Sequence, residues 1–91
     1  MHKLYSDMHL LHAMDQGQQK VRDLRGLQCP MPIMETAKAV KEAQLNEQLT
    51  VLADDPAARS DFEAWSRRTG HTLVAVNDHG SYTEFVIRKT H

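Results

Sequence analysis

The residues best suited to chemistry are a single cysteine and the prolines that follow it, in the run Gln28-Cys29-Pro30-Met31-Pro32. A cysteine acts as a nucleophile through its thiolate, so local charge and exposure decide its reactivity. Pro32 biases Met31 away from helical geometry, which predicts a helix starting at Pro32. Ile33 and Met34 then carry main-chain N–H groups without intrahelical partners, and these face the turn that holds the sulfur. That corner predicts a Cys29 pKa below the ordinary thiol value of about 8.5. The two prolines stiffen the turn, and Met31 brings no carboxylate into the motif. Arg25 would add positive charge near the sulfur, whereas Asp54 and Asp55 would oppose it. The competing reading is a small buried hydrophobe, the usual state of a free cysteine.

The chemistry open to such a thiol is narrow. A disulfide exchange centre needs a second cysteine to resolve the mixed disulfide, and the chain has one. A cysteine hydrolase needs a histidine base and an oxyanion hole, and the sequence does not place His71 or His79 beside the sulfur. A lone activated thiol can still accept a group from one partner and pass it to another.

Several elements must position that thiol. Val21, Asp23 and Arg25 alternate with Arg22 and Leu24 ahead of Gly26, which predicts a short strand ending in a turn. Ile33, Ala37 and Val40 then trace a helical stripe, and residues 49–53 read as a second strand. Asp54-Asp55-Pro56 stops it, with Asp55 as the predicted N-cap of a helix whose apolar face is Ala58, Phe62 and Trp65. Gly70 ends that helix. Residues 72–76 and 82–88 read as a hairpin across Asn77-Asp78-His79-Gly80. The order β-α-β-α-β-β predicts an α+β fold, a two-layer α/β sandwich with a four-stranded mixed sheet and two helices on one face. A right-handed parallel crossover in the first β-α-β unit puts Cys29 and Asp54-Asp55 on one rim.

Composition narrows the function classes. Eleven Lys and Arg against 12 Asp and Glu give a net charge of −1, so no bulk basic field draws in nucleic acid or an acidic membrane. No stretch approaches the ~18–20 apolar residues of a membrane span. One cysteine excludes a disulfide-stapled scaffold, and the first residues lack the apolar core of a signal peptide, so a cytoplasmic setting is predicted. Residues 1–19 read as an N-terminal extension, either disordered or helical through Leu4, Met8 and Leu11, with residues 20–91 as the domain. His2, His9 and His12 do not complete a tetrahedral site, so no metal is expected. Arg67 and Arg68 complement a helix dipole. With Lys20, Arg22, Arg25, Arg88 and Lys89 they would otherwise form a basic face for a partner or an RNA.

The run Leu24-Arg25-Gly26-Leu27-Gln28-Cys29-Pro30-Met31-Pro32, followed by Ala53-Asp54-Asp55-Pro56 and Arg67-Arg68-Thr69-Gly70-His71, resembles the TusA/SirA family of small sulfur carriers over about residues 20–90. The resemblance implies a persulfide relay carrier without a cofactor, acting as a monomer rather than as a self-contained enzyme. It makes Cys29 the persulfide site, shaped by Pro30, Pro32 and Gly26. Arg25, Met31, Ile33, Met34, Asp54 and Asp55 are expected electrostatic or partner contacts. The implied donor is a cysteine desulfurase or rhodanese, and the implied acceptor a DsrE-like or other thiol protein. The sulfur would go to tRNA thiolation, molybdenum-cofactor synthesis or sulfur oxidation. Some relatives carry Glu where this chain has Met31, a difference that bears on which partners dock. The alternative is a small RNA-binding or regulatory adaptor module on the same fold.

Overall fold

The structure, a computed structural model, describes residues 20–91. The charged run Lys-Val-Arg-Asp forms β1 (Lys20–Asp23), and runs richer in β-branched and aliphatic residues form β2 (Gln48–Ala53), β3 (Thr72–Asp78) and β4 (Thr83–Arg88). The two amphipathic stretches form α1 (Met31–Glu42) and α2 (Ala58–Thr69), so the order is the expected β-α-β-α-β-β. The strands lie in the order β1-β2-β4-β3. β1 runs parallel to β2, while β2–β4 and β3–β4 are antiparallel. A parallel pair needs a crossover, here α1, and both its strands end at the same edge of the sheet. β1 is exposed along its length. The chain turns inward after it: Leu24 is buried and its N–H donates to the Leu52 carbonyl at 2.8 Å.

The core lies between the sheet and the helices. Val51 of β2 pairs in register with Phe85 of β4. Phe62 of α2 stacks on Phe85 with ring centroids 4.4 Å apart, and Trp65 meets Phe62 edge-on at 6.4 Å. The buried face of α2 is Ala58, Phe62 and Trp65, as the periodicity predicts. On α1 the buried residues are Pro32, Thr36, Ala39 and Val40. Ile33 packs against this core while Ala37 is exposed, so the predicted stripe is turned away from Ala37. Alanine offers little apolar area, and the Pro32 ring and Val40 decide which face is covered.

Thr36 is fully buried and its Oγ1 has no hydrogen-bond partner. An unsatisfied buried hydroxyl carries a desolvation cost of roughly 1–3 kcal/mol. Thr36→Val keeps the shape and removes that group. It is expected to raise stability by about 1 kcal/mol, read as a higher urea midpoint at unchanged slope. A lowered midpoint would show that the hydroxyl is satisfied.

Several ends of elements differ from expectation, and β1 stops at Asp23, short of Arg25. β3 runs on to Asp78, because Asn77 and Asp78 pair with Glu84 and Thr83. The turn therefore moves to residues 79–82, closed by the His79 N–H on the Tyr82 carbonyl at 2.9 Å. Gly70 ends α2 as predicted, with φ 86° in the left-handed region that favours glycine. No helix among the described residues is long and apolar enough to cross a membrane.

Candidate functional site

The loop between β1 and α1 turns at Gly26, whose φ of 89° would strain any side chain. Three residues later the chain reaches Cys29, joined to Pro30 by a cis peptide bond. α1 starts at Met31, one residue earlier than expected, with Pro32 in its second position. A proline there gives up only an N–H that would have had no intrahelical partner, and its ring is buried in the core. The earlier start changes the donors. Met31 donates its N–H to the Gln28 carbonyl at 2.8 Å, and Met34 reaches back to the Pro30 carbonyl at 3.1 Å. Of the two N–H groups expected to face the sulfur, that of Met34 is thus held by the helix itself.

Two consecutive carboxylates grip the loop. Asp54 Oδ1 accepts the Gly26 N–H at 3.0 Å, and Asp55 Oδ2 accepts the Cys29 N–H at 2.6 Å. Asp55 is not the N-cap of α2. That position is Ala57, which makes no side-chain cap bond. Asp55 instead closes the turn before the helix, its Oδ1 taking the Ala57 N–H at 3.1 Å and its carbonyl the Ala58 N–H at 2.9 Å. The intervening turn leaves its second carboxylate oxygen free to reach the cysteine loop. Ionised acceptors make the stronger hydrogen bonds, so the shared rim predicted for Cys29 and Asp54-Asp55 is tied by direct contact.

These segments enclose an open groove of about 510 Å³, with residues 26–29 on one side and 54–56 on the other. Cys29 is a free, exposed thiol in its wall. The reading of Cys29 as a buried hydrophobe does not hold.

The electrostatics overturn one expectation. The carboxylate of Asp61, in the first turn of α2, pushes the Cys29 pKa up. Partial desolvation adds to this, and the charges of Asp61 and Asp55 act in the same direction. The predicted depression is therefore reversed, since the nearby carboxylates outweigh a helix end whose donors are partly engaged.

Arg25 does not offset them at contact range. Its Nε and Nη2 donate to Asp23 Oδ1 at 2.8 Å and Oδ2 at 2.7 Å. The guanidinium also lies 5.0 Å from the centroid of the Tyr82 ring. This pairing holds the Asp23 carboxyl down at about 2.

The remaining predicted contacts divide. Ile33 packs against the core. Met31 and Met34 are 39% and 55% exposed at the start of α1, large apolar side chains open to solvent next to the cysteine loop. The suggested basic face is partly neutralised within the molecule: Lys20 pairs with Glu47 at 3.3 Å, and Lys89 Nζ donates to the Ala43 carbonyl at 2.8 Å. His71 stacks on His91 at 4.5 Å, and His79 bonds Glu84 at 2.9 Å. Among the described residues, no group of three or more His, Cys, Asp or Glu is placed to hold a metal ion. His2, His9 and His12, like the predicted extension, lie outside the described residues.

Asp61 is the site residue that sequence reasoning missed. Its signal was present, an acidic residue in the first turn of the helix that follows the Asp-Asp-Pro turn.

The family model described as sulfurtransferase TusA covers residues 20–89, from β1 to the residue after β4. The chain belongs to the TusA family. Among its relatives is YrkI of Bacillus subtilis, named as a candidate sulfur carrier protein, 44% identical over 70 residues that span 77% of this chain and 93% of YrkI. The sulfur carrier protein TusA of Allochromatium vinosum is 34% identical over 68 residues, 75% of this chain and 90% of that protein. The crystal structure of a SirA-like protein from Desulfitobacterium hafniense overlays with a TM-score of 0.68 at 21% identity, covering 81% of this chain and all of that one. That likeness establishes the fold of this TusA-family chain as a SirA-like α+β sandwich. The span of the TusA family model includes the cysteine loop, the aspartate pair and Asp61.

Proposed function

We propose that this TusA-family protein is a sulfur carrier that takes up sulfane sulfur on Cys29 as a persulfide and relays it to an acceptor protein. The observation that carries this reading is the exposed Cys29 thiol in the wall of an open groove, held by main-chain bonds to Asp54 and Asp55. The names of the relatives support it, and the absence of a second cysteine favours group carriage over disulfide exchange.

In uptake, the Cys29 thiolate attacks the outer sulfur of a donor persulfide. A new S–S bond forms to Cys29 as the donor's own S–S bond breaks. The electron pair of the broken bond goes to the donor's inner sulfur, which leaves as a thiolate and collects the proton that Cys29 gave up. No net oxidation occurs, because one sulfane sulfur has changed hands. Discharge is the same step with an acceptor thiolate as attacker.

Both exchanges are between proteins, so each partner must reach the sulfur in turn. The open groove supports that access. Met31 and Met34, at helical i, i+3 spacing, offer a flexible apolar contact beside it. A cysteine desulfurase or rhodanese fits as donor and a DsrE-like or other thiol protein as acceptor, in the reducing cytoplasm. From there the sulfur would enter tRNA thiolation, molybdenum-cofactor synthesis or sulfur oxidation.

The test is uptake. The protein is incubated with a cysteine desulfurase and cysteine, and separately with a rhodanese and thiosulfate. Intact-mass analysis is expected to show the gain of one sulfur atom, removed by a reducing agent and mapped to the Cys29 peptide. No gain with either donor system would overturn the reading.

A further inference from the structure

The sheet has two faces, and the helices use one of them. Leu49, Val51, Ala53, Phe85 and Ile87 join Phe62, Trp65, Ala39 and Val40 in the helix-side core. Side chains alternate along a strand, so the residues between them point to the opposite face. The register sets four of these in one row across the sheet. Val21 lies opposite Thr50, Thr50 opposite Val86, and Val86 opposite Ala75. The irregularity between Leu73 and Ala75 adds Val74 to the row, because a bulge sets two residues against one.

This row is an apolar band with open ends. Val21 is 58% exposed at one edge strand and Val74 43% at the other. Val86, between them, is buried yet does not belong to the helix-side core. The next row on one side holds Leu52 among Asp23, Glu84 and Asn77, and the next on the other side holds Gln48, Arg88 and Thr72. An apolar band bordered by polar residues on both sides fits the stripe of one amphipathic helix.

The chain carries such a stripe in the segment that precedes β1. Leu4, Met8 and Leu11 recur at spacings of four and three among His, Lys and Asp. The TusA family model begins at residue 20, so this segment is an addition of this chain to the shared domain. Its length suits the row. A helix of residues 1–14 is about 21 Å long, and four strands measure about 14 Å across. Residues 15–19 reach up to about 17 Å when extended, and they join the sheet at Lys20, next to Val21 at the end of the row. A tether this short gives an effective concentration in the millimolar range, which favours the chain's own segment over a second copy.

We propose that residues 1–14 dock as an amphipathic helix on the face of the sheet opposite α1 and α2, with Leu4, Met8 and Leu11 against the row from Val21 to Val74. Docking and helix formation support each other, since a helix of this length is marginal in water without an apolar face to pack on. The inference is independent of sulfur carriage. The cysteine groove is lined by residues 26–29 and 54–56, past the ends of β1 and β2, and an occupant of the row leaves it open.

The test is amide hydrogen exchange of residues 1–14, read by mass spectrometry in the full chain, with a synthetic peptide of the same residues as the reference. The wild type is expected to exchange at least about tenfold more slowly than the peptide. Met8→Asp places a charge in the stripe, outside the family domain, and should return the segment to the rate of the peptide. Val21→Lys combined with Val74→Lys places charges at both ends of the row, where exposed edge strands tolerate them, and should do the same without touching the segment. Far-UV circular dichroism and the urea midpoint verify that the sheet of each variant is folded. A wild-type segment that exchanges like the peptide overturns the proposal. So does protection that survives the two sheet substitutions, which would put the segment elsewhere. Protection that rises with protein concentration, together with a dimer mass by light scattering, would assign the face to a second copy and overturn it as well.

Discussion

Cys29→Ser is expected to take up no sulfur from any donor, a loss to background in the intact-mass assay. Serine is close in size to cysteine, so the exposed position can accept it without repacking. The main-chain N–H of residue 29 still meets Asp55 Oδ2, now seen at 2.6 Å, and the loop keeps its shape. What changes is the nucleophile. A serine hydroxyl stays protonated at neutral pH and is a weak attacker, whereas a thiol has an accessible anion. The chain has no other cysteine to substitute for it. A variant that still gained sulfur would move the chemistry away from this residue, and circular dichroism indistinguishable from the wild type would show that loss of uptake is not loss of fold.

The largest stability effect is expected at Phe62. Its ring is fully buried and stacked on Phe85 at 4.4 Å, with Trp65 edge-on to it. Phe62→Ala removes a large apolar side chain and leaves a cavity between α2 and the sheet, at a cost of about 3–5 kcal/mol. Small domains have about 5–15 kcal/mol of stability in total. The variant is therefore expected to show a much lower urea midpoint and to be partly unfolded near 37 °C by the thermal melt, about body temperature. Phe62→Leu, which fills part of the space, should fall between the two. A loss below about 1 kcal/mol would mean that α2 does not depend on this ring. The consequence reaches the site, because Asp55, which holds the Cys29 N–H, also bonds the Ala57 and Ala58 N–H groups at the start of α2.

Much of this could be read from residue pattern, and the reasons differ by element. The α2 face was legible because Ala58, Phe62 and Trp65 are apolar at helical spacing among polar neighbours. The α1 face was less so. Ala37 and Ala39 are interchangeable by hydropathy, and the threonine that lies inward does not read as core. The shared rim followed from the parallel pairing of β1 with β2. Its geometry did not, because nothing local says that Asp55 bends away from capping α2 to hold the Cys29 N–H. The sign of the thiol shift was misread for the same reason. A helix start is visible in Pro30 and Pro32, but a carboxylate 32 positions along the chain comes beside the sulfur only through the packing of α2. Electrostatics at a site summed from several elements is a property of the fold, and sequence neighbours supply only part of it.

The central claim is that one sulfur atom enters and leaves through Cys29. The most direct measurement loads the wild-type protein with sulfane sulfur, removes the donor, adds a thiol protein as acceptor, and follows both masses over time. The account predicts that the carrier loses one sulfur atom as the acceptor gains one, with Cys29→Ser inert at both steps. A carrier that never loads, or whose added sulfur resides on a peptide without Cys29, would contradict it.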